Sequence, residues 1–274
     1  MSTAVFEAQL SLLQSHYRVV PPSTLLDEMR RRRVGQRVPV ALTFDDDLRS
    51  HVETTLPVLK RLGVPAAFFL CGASLTQPHS FWWEDLQRSV DDGGRALLDV
   101  APPMSGGLAA VLAGERGALR SLARAVEDAP PGERARVASD LRRAAGAATG
   151  APLDAEGVRR LVAAGYEIGF HTLRHESLPT LDGAELAQAL EEGRAQLEKV
   201  TGRPVRMLAY PHGRAADREA RAARAAGYAC AFTGRPEALR ADGNPFLLGR
   251  IEPSFDSVEV FEAQLGRALQ AARA

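Results

Sequence analysis

Three consecutive carboxylates, Asp45, Asp46 and Asp47, end the apolar run ALTFDDD. Adjacent anions repel one another, so a chain that gathers them at one point holds a cation there or keeps one carboxylate as a base. The plainer alternative makes Asp47 the cap of a helix starting near Leu48 and leaves the other two solvated. Two histidines four apart, His171 and His175, stand in GFHTLRHESL, and His212 stands in YPHGR. Each group follows a predicted strand. Neutral imidazoles at this spacing, with a strand-end carboxylate, offer a His, His, Asp face to one metal ion and leave positions open for water and substrate. The competing interpretation is a pair of surface histidines in a turn.

The elements that must position these groups follow from the apolar pattern. Val38, Val40, Leu42 and Phe44 alternate with smaller or polar neighbours, which predicts a buried strand delivering the carboxylates to its C-terminal end. Strand ends are where α/β proteins place their chemistry. Ahead of it, helical spacing covers residues 5–16, a short strand runs over 17–20 to Pro21-Pro22, and a helix capped by Ser23 or Thr24 reaches Met29. After it come a helix over 52–62 with Gly63 as its stop and a buried strand over 65–72. FWWEDL then opens a helix with two adjacent tryptophans, Trp82 and Trp83. Their directions diverge, so one can line a cleft or cover a barrel end, where a sugar ring would stack, while the plainer reading buries both in a core.

From about 91 to 150 the pattern weakens to Ala, Arg and Gly, interrupted by two Pro-Pro pairs, and predicts an inserted set of short helices or a lid. Alternation then returns: a helix over 155–164, a strand over 166–170, a long helix over 182–200, a strand over 205–210, a helix over 216–226, strands over 228–233 and 246–251, and a final helix from Ser257. About seven strands interleaved with helices predict an α/β fold, a distorted (β/α) barrel of parallel strands. Residues 1–274 are expected to form a single catalytic domain with the helical insertion at about 91–150.

Composition sets the remaining bounds. Lys+Arg and Asp+Glu are equal at 34 each, so no net field points to nucleic acid or an acidic membrane surface. Arg30 to Arg33 end a helix, where cations are favoured. Cys71 and Cys230, the only cysteines, sit in apolar runs and are expected to be buried thiols rather than a disulfide. No apolar run is long enough to span a bilayer, and the first twenty residues lack the pattern of a signal peptide. The sequence as written therefore predicts a cytoplasmic protein; a chain trimmed of its leader, and hence exported, would read the same.

TFDDD, HTLRH and AYPHG, in this order and with this alternation between them, resemble the polysaccharide deacetylase family, the NodB-homology domain of carbohydrate esterase family 4. The resemblance covers nearly the whole chain and extends to HYRVVP, LPVLKRLGVPAAFFL, the paired tryptophans, AGYEIGFHT and LLGRI. It implies a distorted barrel of about seven parallel strands. It implies that Asp45 is the catalytic base and that Asp46, His171 and His175 bind a divalent metal, Zn²⁺ first, with Co, Mn or Ni as alternatives. Thr172 would contact product acetate, the backbone N–H of His212 would donate to the oxyanion, and Tyr210, Pro211, Trp82 and Trp83 would face substrate.

Three departures stand beside the match. No histidine follows His212, where many members carry a late Leu-x-His general acid; Ala209 occupies the place of an arginine that often steadies the base; Asp47 replaces the commoner glycine. His51, as acid or supporting partner, the side chain of His212, and Arg250 are the candidates to compensate, Arg250 by holding Asp45 charged. The implied function is a metal-dependent hydrolase that removes N-acetyl groups from amino sugars of a saccharide or glycoconjugate. A catalytically impaired sugar-binding or scaffold protein and a cyclic-amide hydrolase are the alternatives. A non-haem iron oxygenase ranks last, because its two-His-one-carboxylate site usually sits on an all-β scaffold. The substrate, not nucleic acid, is the expected partner, and the oligomeric state is open.

Overall fold

The computed structural model describes residues 2–75, 81–91, 105–115, 117–127, 129–144, 152–254 and 257–272. It divides into two compact units, Met1–Gln77 with Leu153–Ala274, and Pro78–Pro152. The second unit begins ahead of the paired tryptophans, so it spans more of the chain than the weakly patterned stretch at 91–150.

In the first unit, helix α1 (Thr3–His16) leads into strand β1 (Arg18–Val19), and helix α2 (Leu25–Arg31) leads into β2 (Pro39–Val40). These two strands form a small parallel pair. The main sheet is parallel, with strands β3 (Leu42–Asp45), β4 (Ala66–Leu70), β5 (Glu167–Phe170), β6 (Met207–Ala209) and β7 (Cys230–Phe232) in sequence order. This curled, half-barrel arrangement is the parallel-stranded α/β fold that the alternation predicts. Alternate side chains sort to two faces. Phe68, Leu70, Phe170 and Leu208 pack outward with Leu59, Leu161, Leu190 and Leu197 of the surrounding helices, while Ala67, Phe69, Met207, Ala209, Cys230 and Phe232 fill the concave side.

Several elements differ from the sequence expectation. The run over 38–45 is broken at Ala41 into β2 and β3, and β3 is half-buried rather than buried, because only β4 pairs with it. The strand expected over 246–251 is reduced to one parallel bridge between Phe232 and Leu248. Beyond it the Arg250 N–H turns away to the Arg235 carbonyl at 2.9 Å, so the barrel stays open between this segment and β3. The helix expected over 52–62 opens as a wide π turn, His51–Thr55, before helix α3 (Leu56–Leu62). Gly63, at φ +63°, ends α3 as predicted.

The second unit carries helices α4 (Trp82–Asp91), α5 (Ser105–Leu112), α6 (Ala118–Glu127) and α7 (Pro131–Ala144). Trp82, Leu86, Val111, Leu122, Val126, Val137 and Leu141 form its own apolar cluster. The first unit then resumes with α8 (Ala155–Ala163), α9 (Gly183–Glu191), α10 (Arg194–Thr201), α11 (Asp217–Ala225) and α12 (Val258–Ala271). The single helix expected over 182–200 is two: Glu192 is extended and Gly193 lies at φ +84°, a left-handed conformation that breaks the hydrogen-bond ladder. No helix among the described residues is long and apolar enough to cross a membrane.

Candidate active site

The carboxyl ends of β3, β5 and β6 bring the chemistry-bearing residues together. Asp45 is the last residue of β3, and Asp46 follows it at φ +72°. His171 and His175 follow β5, and His212 sits in the turn Pro211–Gly213 after β6. Thr172, His175 and His212 also have left-handed backbones, at φ 57°, 51° and 57°. Together with Asp46 they are all the non-glycine residues of this kind among the described residues. L-residues disfavour that region by roughly 1–2 kcal/mol each, and four such residues in one place are maintained by the surrounding fold.

Asp46 Oδ1 lies 3.7 Å from His171 Nε2 and 3.5 Å from His175 Nε2. These separations are longer than hydrogen bonds. Donors at about 2.0–2.1 Å from a tetrahedral ion stand about 3.4 Å apart, so the spacing fits one metal ion shared by the three side chains. The three donor atoms lie within 4.8 Å of one another. The tautomer of His171 agrees with this fit. Its Nδ1 is 2.8 Å from the Ala209 carbonyl, which can only accept, so Nδ1 carries the hydrogen and the Nε2 lone pair faces Asp46. Burial lowers the pKa of His171 despite the opposing pull of Asp45, which keeps the ring neutral as a ligand must be.

Asp45 is held by a guanidinium fork. Arg250 Nη1 donates to Oδ1 and Nη2 to Oδ2, both at 2.7 Å. Two further Arg250 donors, on Nε and Nη1, reach the Thr233 carbonyl at 3.1 Å and Thr43 Oγ1 at 3.3 Å. Burial alone would push the Asp45 carboxyl up, but Arg250, with His171 and His51, outweighs it and holds the group below its ordinary value. Arg250 thus pairs with Asp45 from a part of the chain far from Ala209, the position at which the family resemblance would place a steadying arginine.

His51 is buried, and its Nε2 lies 2.9 Å from the Asp45 carbonyl and 3.0 Å from that of Asp46. Two acceptors require the hydrogen on Nε2, and burial lowers the pKa of the ring. Of the two roles open to His51, acid or supporting partner, the geometry favours the second: it fixes the backbone on both sides of the strained Asp46. Asp47 does not cap a helix near Leu48. Its carboxylate is buried and accepts N–H groups from Cys71 at 2.9 Å, Gly72 at 3.2 Å and Ser74 at 3.5 Å, in the loop after β4. Burial pushes its pKa up to about 6 against the pull of these donors.

Several other expected residues are buried or packed against their neighbours. Thr172 is fully buried and offers no surface to acetate; its Oγ1 has no hydrogen-bond partner. Tyr210 is also fully buried and donates its hydroxyl to the Phe246 carbonyl at 2.9 Å, so it is a core residue, and Pro211 is buried beside it. Trp82 belongs to the core of the second unit, while Trp83 is half-buried with its ring stacked on Phe81 at 4.4 Å. The His212 ring lies 4.5 Å from that of His175, centroid to centroid, and is half-exposed. The Asp47 contacts are the feature that sequence reasoning missed; a third adjacent carboxylate was the signal.

The family model described as polysaccharide deacetylase matches residues 32–97 and 134–231, more than half of the chain. No curated protein sequence matches significantly. Among solved structures, the chain is similar to the Streptococcus pyogenes deacetylase PplD in complex with acetate, at 15% identity and a TM-score of 0.61, over 97% of this chain and 86% of that one. It is similar to IcaB from Ammonifex degensii at 20% identity and a TM-score of 0.63, over 96% and 89%. A de-N-acetylase from Aggregatibacter actinomycetemcomitans aligns at 16% identity and a TM-score of 0.56, over 94% and 87%.

Proposed function

This chain belongs to the polysaccharide deacetylase family, and we propose that it hydrolyses N-acetyl groups of an amino-sugar saccharide or glycoconjugate with a divalent metal held by Asp46, His171 and His175. One observation carries this reading: three neutral or anionic donors converge at metal spacing beside a carboxylate held charged by an arginine fork. A divalent ion bound there supplies Lewis acidity, polarising an amide carbonyl and acidifying water. Zn²⁺ is the first candidate, because two imidazoles and one carboxylate with open positions suit it; Co, Mn or Ni can bind the same donors.

Asp45 takes the proton of the attacking water. Its role as base needs an ionised carboxylate, which the bidentate Arg250 pair maintains. The proton for the leaving nitrogen needs a second group. Arg250 stays charged and directs four of its five N–H donors to Asp45, Thr43 and the Thr233 carbonyl, and the His51 Nε2 hydrogen is committed to two backbone carbonyls. His212, half-exposed next to His175, is the remaining candidate, and its imidazole hands over the proton in place of a late histidine.

The test is acetate release from N-acetylated mono- and oligosaccharides by protein stripped of metal and reloaded with Zn²⁺ or Co²⁺. Metal-dependent release is expected, with Asp45→Asn abolishing turnover while still binding metal and His212→Asn lowering kcat by about 10²- to 10⁴-fold. An Asp45→Asn protein with wild-type turnover would overturn the mechanism. Saccharide binding without release, across metals and substrates, would instead favour the sugar-binding alternative.

A further inference from the structure

Asp47 is where the loop bearing Asp46 meets both ends of the inserted segment. Its carboxylate accepts backbone N–H groups of Cys71, Gly72 and Ser74, on the stretch by which the chain leaves the sheet toward the second unit. Its own carbonyl accepts the N–H of Leu153 at 2.9 Å, where the chain re-enters the first unit. One residue therefore ties three separate pieces of chain together, and it is the immediate neighbour of a metal-binding carboxylate. The attachment is selective. Cys71 and Gly72 share Oδ1, and Ser74 reaches Oδ2, so both oxygens are engaged by backbone that no side-chain substitution can replace.

We infer that Asp47 is a positioning residue for the metal site: by clamping both stems of the insertion to the loop after β3, it holds Asp46 in its left-handed conformation, and metal affinity depends on that clamp. The inference rests on the metal reading of the site. Asp tolerates the left-handed region better than most L-residues but still disfavours it, and His51 constrains only the carbonyls of Asp45 and Asp46. On the C-terminal side, the Asp47 clamp adds to the His51 contact with the Asp46 carbonyl by fixing the residue that follows. Loss of an outer partner of this sort typically weakens metal binding by about 10- to 100-fold.

Two variants separate positioning from simple stem support. Asp47 lies outside the left-handed region, so Asp47→Ala enters without backbone strain and removes both acceptor oxygens. Asp47→Asn retains an acceptor for Cys71 and Gly72 and loses the one facing Ser74. Hydrogen exchange at the Cys71, Gly72 and Ser74 amides is measured on metal-free protein, and Zn²⁺ affinity by competition with a chelating dye. The expected result for Asp47→Ala is faster exchange at all three amides with about 10- to 100-fold weaker Zn²⁺ binding. Asp47→Asn should accelerate Ser74 alone and stay within about threefold of the wild-type affinity, a pattern that remains readable if the Ala variant does not fold. Faster exchange with unchanged affinity in Asp47→Ala would overturn the positioning role, and so would unchanged exchange. Wild-type protein that takes up no Zn²⁺ would overturn the metal reading, and the exchange pattern would then judge the clamp by itself.

Discussion

At the scale of single residues, the site is governed by which hydrogen bonds are already committed. Arg250 uses its fork on Asp45, and the consequence is a carboxylate that keeps its charge to unusually low pH. The sign follows from linkage. An unfolded aspartate titrates near 3.8 and the folded one below it, so Asp45 contributes stability above that pH and loses it as pH falls through the lower folded value. For Arg250→Gln the acid limb of kcat/KM should therefore move up by about one to three pH units, alongside a lower plateau. A pH profile that keeps its wild-type acid limb would remove Arg250 from control of the base. His51 gives the complementary case. His51→Phe can preserve ring packing against Phe44 and Phe68, whose centroids lie 6.0 and 5.0 Å away, but leaves two carbonyls without their donor. The expected cost is about 1–3 kcal/mol in denaturant unfolding. A histidine acting as the acid would show the opposite split, with stability intact and kcat lost.

At the scale of elements, the strands around the site were legible as short apolar runs bounded by turn residues, and β4 and β5 lie where those runs place them. What could not be read was how many neighbours each strand has. ALTF looks the same in a central strand and in an edge strand, and only the failure of residues 246–251 to continue past Leu248 leaves β3 at the edge. The left-handed turns were hidden for another reason: glycine advertises such a backbone, whereas Asp46, Thr172, His175 and His212 do not. The Arg250 pairing with Asp45 joins residues 205 positions apart, so no local pattern carries it, and only the family resemblance, with its steadying arginine missing at Ala209, pointed to Arg250 as the partner. The turn after β6 does carry a readable glycine. Gly213 has φ +65°, and a Cβ there would stand 2.5 Å from the backbone of Gly234, whereas Gly227 at φ +82° has open space around it. Gly213→Ala should therefore cost more stability than Gly227→Ala, which carries only the left-handed penalty of about 1–2 kcal/mol, and it alone should displace His212 and lower kcat. Equal losses in unfolding and activity for the two variants would mean that the Gly213–Gly234 contact does not position the turn.

At the scale of the whole chain, the first unit is a barrel left open at one seam, and side chains do there what ladder hydrogen bonds do elsewhere. Arg250 reaches from the Thr233 carbonyl, at the end of β7, to Thr43 and Asp45 on β3, across the gap between the two edges of the sheet. A cavity of about 240 Å³, lined by Leu10, Leu13, Val40, Leu42, Phe261 and Leu265 among others, lies along that seam. An open sheet of this kind is held together less strongly near its edge strand than a closed one. A metal bound by Asp46 after β3 and by His171 and His175 after β5 would join the edge strand to the middle of the sheet across β4. Binding only to the folded state stabilises it by about 2.7 kcal/mol at a free metal concentration 100 times Kd. At roughly 2–4 °C per kcal/mol for a unit of this size, Zn²⁺ should raise the midpoint of thermal unfolding by about 5–10 °C over the chelated protein. The shift should grow with the logarithm of metal concentration and disappear in Asp46→Ala. A midpoint indifferent to Zn²⁺ at concentrations that saturate the site would mean that the ion binds the unfolded chain equally well, and that the site does not secure the open edge.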